Sequence, residues 1–179
     1  MHRITLKDKV FTPYITSDEI LKNVAAIAKK INLELKDEFP VFLVVLNGSF
    51  MFAADLLKEI TIPCEISFIK LSSYCGTTST GTVSEIIGLT ENVAGRTIVI
   101  IEDIVDTGAT IEKLVALLNK KQVKQIKIAS LLLKPDVYHK NIKIDYIGIE
   151  IPNDFVVGYG LDYDGLGRNI NALYVLDSN

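Results

Sequence analysis

Residues 98–110 read Ile-Val-Ile-Ile-Glu-Asp-Ile-Val-Asp-Thr-Gly-Ala-Thr, or IVIIEDIVDTGAT. An unbroken β-branched apolar run meets Glu102, Asp103 and Asp106, and then a small-residue turn, Asp106-Thr107-Gly108-Ala109-Thr110. Runs of this kind mark a strand buried on both faces, the habit of a parallel sheet. Beyond the turn, Ile111, Leu114, Val115, Leu117 and Leu118 recur at helical spacing, so residues 110–120 read as an amphipathic helix. Strand, polar turn and helix make half of a βαβ unit, and the chain around it repeats that unit.

Upstream, Thr16 with Glu19 three residues on forms a capping-box pattern, and Ile20, Val24, Ile27, Ala28 and Ile31 follow at helical spacing. Residues 41–46 (VFLVVL) read as a buried strand ending at Asn47-Gly48, with residues 50–60 as the next helix. Residues 64–71 and 97–101 read as strands, as do 125–133, 146–151 and 172–176. Between the first two of these, residues 72–82 (SSYCGTTSTGT) are small and polar and read as a loop or hairpin, with 83–89 returning as a strand. No repeat or linker interrupts the pattern, so residues 1–179 are expected to form one α/β domain, a mostly parallel sheet flanked by helices. In such sheets ligands bind at the carboxyl ends of the strands, which directs attention to the residues after 46, 101, 133 and 151.

The opening stretch sits at one of those ends and combines two chemistries. Residues 106–110 lie between strand and helix, where free amides, the helix dipole and two threonine hydroxyls favour an anion, and Gly108 permits close approach. Neither the G-x-x-x-x-G-K-[ST] nor the G-x-G-x-x-G pattern occurs, which disfavours nucleotide triphosphatases and dinucleotide dehydrogenases. Glu102 and Asp103 end a buried strand, where an unpaired carboxylate is expensive. Vicinal sugar hydroxyls would satisfy them, with a divalent cation as a bridge. A phosphate joined to a ribose uses both halves, leaving Asp106 on the sugar's reactive side as a base. The plainer alternative is an aspartate helix cap beside two solvated acids.

Composition narrows the partners. The chain is 49% hydrophobic and 23% charged, with a net charge of −3 and no dense basic stripe, so duplex nucleic acid is not the expected ligand. No apolar run is long enough to span a bilayer and no signal peptide follows Met1, so a cytoplasmic protein with no membrane partner is expected. Cys64 and Cys75 lack metal-ligand spacing and read as free thiols.

The run V-I-I-E-D-I-V-D-T-G-x-T resembles the phosphoribosyl-pyrophosphate motif of type I phosphoribosyltransferases. Four further segments resemble the hypoxanthine and hypoxanthine-guanine branch of that family, in order: Leu46-Asn47-Gly48-Ser49, Ser73-Tyr74 in the polar loop, Lys134 after a strand, and FVVGYGLDY from Phe155 to Tyr163. The resemblance covers residues 41–168. It implies the type I fold, with a small hood formed by the terminal segments and a flexible loop hairpin. It also implies purine salvage: transfer of the phosphoribosyl group from phosphoribosyl pyrophosphate to hypoxanthine, and to guanine, giving the nucleoside monophosphate and pyrophosphate.

Roles carry over residue by residue. Glu102 and Asp103 would hold the ribose hydroxyls and, with Asp162, Mg2+; residues Asp106, Thr107, Gly108, Ala109 and Thr110 would bind the 5′-phosphate, Asp106 also being the general base. Leu46, Asn47, Gly48 and Arg168 would bind pyrophosphate, with a non-proline cis peptide after Leu46. Lys134, Phe155, Val156 and Asp162 would form the purine site, and Ser73-Tyr74 the loop that closes over it. The family often has lysine where this chain has Asn47, which removes a charge from the pyrophosphate site. Homodimers or homotetramers are implied. Rival readings are a non-catalytic RNA- and nucleotide-binding regulator on the same fold, a relative using adenine or a pyrimidine, and a receiver-like domain with Mg2+ at its acids.

Overall fold

The structure, a computed structural model, describes residues 2–71, 85–87, 89 and 92–177. In chain order the elements are β1 (Ile4–Leu6), β2 (Lys9–Ile15), α1 (Ser17–Glu34), β3 (Val41–Val45), α2 (Phe50–Lys58), β4 (Glu65–Leu71) and β5 (Glu85–Ile87). They continue with β6 (Thr97–Val105), α3 (Ala109–Lys120), β7 (Gln125–Leu133), β8 (Tyr146–Glu150), β9 (Val156–Val157) and β10 (Leu173–Leu176).

The central sheet has the order β5-β4-β3-β6-β7-β8, parallel except for the antiparallel edge strand β5. Both faces are covered, which is why β3 and β6 carry no polar alternation. Phe42, Val44, Val99 and Ile101 face α1 and α2, and meet Ile20, Ile27, Ile31, Phe52 and Leu56. Their neighbours Val41, Leu43, Ile98 and Ile100 face the other way, toward Ile111, Leu114 and Leu118 of α3. The Thr16 hydroxyl accepts from the Glu19 amide at 3.2 Å, so α1 begins where the capping pattern places it.

β6 is longer than the expected 97–101. The ladder with β7 continues through Glu102↔Ser130, Ile104↔Leu132 and Val105↔Leu133, because the tail of β7 is itself apolar and pulls the acids into the sheet. The other differences are at element ends: α2 stops at Lys58 rather than 60, β4 starts at Glu65, α3 starts at Ala109, β8 stops at Glu150 and β10 starts at Leu173. The loop expected over 72–82, with Ser73, Tyr74 and Cys75, lies outside the described residues; of the returning strand expected over 83–89, residues 85–87 form β5.

A second sheet, β1-β2-β10-β9, is antiparallel and joins both ends of the chain. This is the hood that the terminal segments were expected to form. Its N-terminal strands left no signal in the sequence, since β1 spans three residues and β2 contains Pro13. Pro13 is accommodated beside a register shift between Leu173 and Tyr174. No described helix is long and apolar enough to cross a membrane.

Candidate active site

Because β3, β6 and β7 run parallel in close register, the turns that follow them gather at one edge of the sheet. After β6, the turn at 106–110 leads into α3 through Gly108, which has φ +78° and provides no side-chain cap. The first helical bond runs from the Glu112 amide to the Gly108 carbonyl, which leaves the amides at 109–111 ahead of the ladder; that of Ala109 lies 3.4 Å from Thr107 Oγ1. A pocket of about 90 Å3 opens there, lined by Glu102 and residues 104–111. A Cβ on Gly108 would lie 2.4 Å from the Tyr138 ring, so the turn is backed by an aromatic wall that admits no side chain at that position.

The two strand acids diverge, as successive residues of a strand must. Glu102 forms part of the pocket wall, whereas Asp103 lies against the turn after β3, where a Cβ on Gly48 would fall 1.6 Å from Asp103 Oδ2. Glu102 is 8% exposed, and its Oε2 is buried without a hydrogen-bond partner. Burial, then the neighbouring Asp103 charge, pushes the Glu102 carboxyl well above the usual range. Burial likewise raises Asp103 to about 6, opposed by backbone hydrogen bonds at Ile104 and Asp103 itself and by the positive Arg168. Burial thus disfavours charge on both carboxyls, and hydroxyl donors or a cation beside them would favour it.

After β3 the chain turns through a cis Leu46–Asn47 peptide, which the resemblance implied. The buried Ser49 hydroxyl donates to the Val45 carbonyl and braces this turn. Gly48 is also crossed by Gly160, whose φ is +100° and whose Cβ, if present, would lie 1.9 Å from the Gly48 carbonyl oxygen. Arg168 in turn donates from Nη1 to the Gly160 carbonyl at 2.7 Å and pairs with Asp162 at 2.6 Å. The segment carrying FVVGY is thus fastened to the turn expected to hold pyrophosphate.

That fastening has a second anchor. The Tyr159 hydroxyl donates to Asp55 of α2 at 2.7 Å, and Lys58 pairs with the same carboxylate at 2.8 Å. Burial opposes charge on Asp55, but the hydrogen bonds from Lys58 and Tyr159 outweigh it and lower its pKa; burial and the Asp55 bond raise that of Tyr159. Tyr159→Phe is expected to cost about 1.5–3 kcal/mol, the range for a hydrogen bond to a charged group. A lowered folded-state pKa means stability present above the ordinary carboxylate value and lost as pH falls from there through the lowered folded-state value. The gap in unfolding free energy between wild type and variant, measured by urea melts, should therefore narrow below about pH 4.

At the end of β7, Lys134 is 7% exposed, and its Nζ lies 3.2 Å from Asp106 Oδ2 and 3.2 Å from Asn153 Oδ1. Two residues singled out separately in the sequence are therefore one ion pair. Phe155 leaves its ring 46% exposed and rests on Phe11 and Tyr163, with ring centroids 6.2 and 6.0 Å away. Val156 is buried in β9, and the Phe155 carbonyl already accepts from the Leu176 amide at 2.9 Å. The sequence reading missed Phe11, Asp55 and Asn153: two lie far from any motif, and Asn153 sits in a Pro-Asn turn that reads as plain loop.

Glu102, Asp103 and Asp162 do not form a cage, and among the described residues no three His, Cys, Asp or Glu side chains gather as a cation site. Both Asp162 oxygens are engaged, by Arg168 and by the Gly165 amide at 2.7 Å. An all-oxygen site with an orphaned buried Glu102 oxygen still suits Mg2+, which is commonly held by one or two carboxylates with substrate phosphates and waters completing the shell.

A small pocket at a helix N-terminus, the two strand acids and a buried lysine thus gather at the carboxyl edge of the parallel sheet. The profile of the phosphoribosyl transferase domain matches residues 15–164, and the chain belongs to that family. The chain is 42% identical over 172 residues to the hypoxanthine-guanine phosphoribosyltransferase of Bacillus subtilis, covering 96% of both chains. Its structure is similar to that of hypoxanthine phosphoribosyltransferase from Staphylococcus aureus, with a TM-score of 0.86, 35% identity and coverage of 93% and 91% of the two chains. It is similar also to the Trypanosoma cruzi enzyme in a ternary complex with substrates, with a TM-score of 0.85, 34% identity and 93% and 95% coverage.

Proposed function

We propose that the chain is a purine-salvage enzyme that transfers the phosphoribosyl group from phosphoribosyl pyrophosphate to hypoxanthine, and to guanine, releasing pyrophosphate. The observation that carries this reading is the Lys134–Asp106 pair beside the 106–110 pocket. In this reading the pair would offer a cation to the C6 oxygen of the base and a carboxylate to its N7, next to a seat for the 5′-phosphate.

In this reading the amides at 107–110 and the hydroxyls of Thr107 and Thr110 bind the 5′-phosphate, and Glu102 and Asp103 accept from the ribose hydroxyls from opposite sides of β6. Arg168 and the amides after Leu46 hold the pyrophosphate, and Asn47 contributes no charge there. Phe155 offers its open ring face to the purine. N9 attacks the anomeric carbon as its bond to pyrophosphate breaks, and Asp106 accepts the proton from N7. Glu102 and Asp103, with Asp162, would hold Mg2+ carried by the donor, and the ion would supply neutralisation of the charge on the departing pyrophosphate. Closure of the segment bearing Ser73 and Tyr74 would keep water from the reacting carbon. A cytoplasmic location and assembly as a homodimer or homotetramer belong to the same proposal. The latter is supported by the water-exposed Phe50, Ile66 and Phe68, and is tested by sedimentation.

A spectrophotometric assay with hypoxanthine, guanine, xanthine and adenine, each with Mg2+ and phosphoribosyl pyrophosphate, tests the reading. Turnover of hypoxanthine without adenine is expected, because the 6-amino group of adenine cannot accept from Lys134. Activity on adenine alone, or on none of the four, would overturn it. Lys134→Ala is expected to lower kcat/KM for hypoxanthine about 10–100-fold, the equivalent of one charge-assisted hydrogen bond. The KM for phosphoribosyl pyrophosphate should change less, and equal losses on both substrates would remove Lys134 from the base site.

A further inference from the structure

An ammonium as buried as that of Lys134 works only if its three hydrogens are directed, and the structure shows where two of them go. One points at Asp106, the other at Asn153. These partners differ in kind. Asp106 is 46% exposed at its side chain and, in the mechanism above, must turn from Lys134 to the purine N7 when the base arrives. Asn153 has no such second duty. It sits in the turn between β8 and β9, closed by a 2.8 Å bond from the Asp154 amide to the Pro152 carbonyl, two residues before the exposed Phe155 ring. An ammonium has no acceptor, so it is the amide oxygen of Asn153 that must face Nζ, as it does here.

We propose that Asn153 is a positioning residue for the purine, acting through Lys134. Its carbonyl oxygen keeps Nζ aimed after Asp106 has turned to the base, so that a remaining hydrogen meets the C6 oxygen. Without that acceptor, Nζ is free to follow Asp106, and the selectivity for a 6-oxo group loses its fixed point. The turn at 152–154 also carries Phe155, so one short segment sets both the stacking face and, through Lys134, the edge contact.

This inference rests on the 6-oxopurine reading, and the test separates the two. Steady-state constants would be measured for wild type, Asn153→Ala, Asn153→Asp, Lys134→Ala and the double variant Asn153→Ala/Lys134→Ala. Asn153→Ala is expected to raise KM for hypoxanthine about five- to tenfold, and more than KM for phosphoribosyl pyrophosphate. Asn153→Asp, which keeps an acceptor, should recover most of that loss. In the Lys134→Ala background, Asn153→Ala should add less than about twofold, since the group it aims is gone. An unchanged KM in Asn153→Ala, no recovery in Asn153→Asp, an equal rise for both substrates, or a full effect persisting without Lys134 would each overturn the role of Asn153. A Lys134→Ala enzyme with normal use of hypoxanthine would overturn the base-site reading itself, and this inference with it.

Discussion

Asp106→Ala is expected to lower the rate of phosphoribosyl transfer by about 10²–10⁴-fold, the usual contribution of a positioned acid or base. That corresponds to about 3–5 kcal/mol of barrier. Binding of phosphoribosyl pyrophosphate should survive, because the proposed anion seat draws mainly on the backbone at 107–110 and the fold of that turn depends on Gly108 rather than on Asp106. A competing explanation is that Asp106 serves only to neutralise Lys134, 3.2 Å away. Asp106→Asn separates the two: its amide oxygen still accepts from Lys134 but cannot take a proton from the base. If Asp106→Asn turned over near the wild-type rate in single-turnover measurements, the carboxylate would be a structural partner and not the base.

The largest expected effect on stability comes from Gly160→Ala. The new methyl carbon would sit 1.9 Å from the Gly48 carbonyl oxygen, on a backbone with φ +100° that side chains other than hydrogen rarely tolerate. The backbone strain alone costs about 1–3 kcal/mol, and displacing a neighbouring main chain adds to it. A total near 3 kcal/mol would lower Tm by about 6–12 °C in a chain of this size. Gly165→Ala is the control: its φ is +84°, but nothing lies within 4 Å of the new carbon. It pays the strain without the collision, so equal losses in the two variants, by calorimetry, would show that the crossing at Gly48 is unimportant. Because Gly160 also supplies the carbonyl that Arg168 holds, the surviving Gly160→Ala enzyme should bind pyrophosphate more weakly.

The parallel sheet was readable because burial on both faces leaves one kind of residue in β3 and β6, and because their turns carry the ligand chemistry. The motif at 98–110 placed Glu102, Asp103 and Asp106 at one strand end, yet its linear form hid that adjacent acids part to opposite faces, one toward the pocket and one toward Gly48. Spacing along the chain also gives no hint that Lys134 and Asp106 pair, since 28 residues separate them and only the β6–β7 register brings them together. The hood was legible only through family resemblance. β1 and β2 are short, mixed in polarity and interrupted by Pro13, so their pairing is decided by β10 at the far end of the chain. Asp55 and Asn153 matter through contacts distant in sequence, with Tyr159 and Lys134, and no local pattern distinguishes them from ordinary surface residues.

The hood has a bearing on how the chain matures during synthesis. β2 leaves the ribosome well before β10, but one of its two edges is matched by residues 173–176. The buried ring of Phe11 belongs to β2, and Phe155 and Tyr163 rest on it. Domains generally assemble from the N-terminus as they emerge. Here an early strand of the hood must wait for a late one. The central sheet with the turn at 106–110 can form from the middle of a nascent chain, while the cluster of Phe11, Phe155 and Tyr163 is completed only when residue 176 has appeared. A chain stalled before β10 would thus carry the proposed seat for the sugar phosphate but not a finished version of the one proposed for the purine.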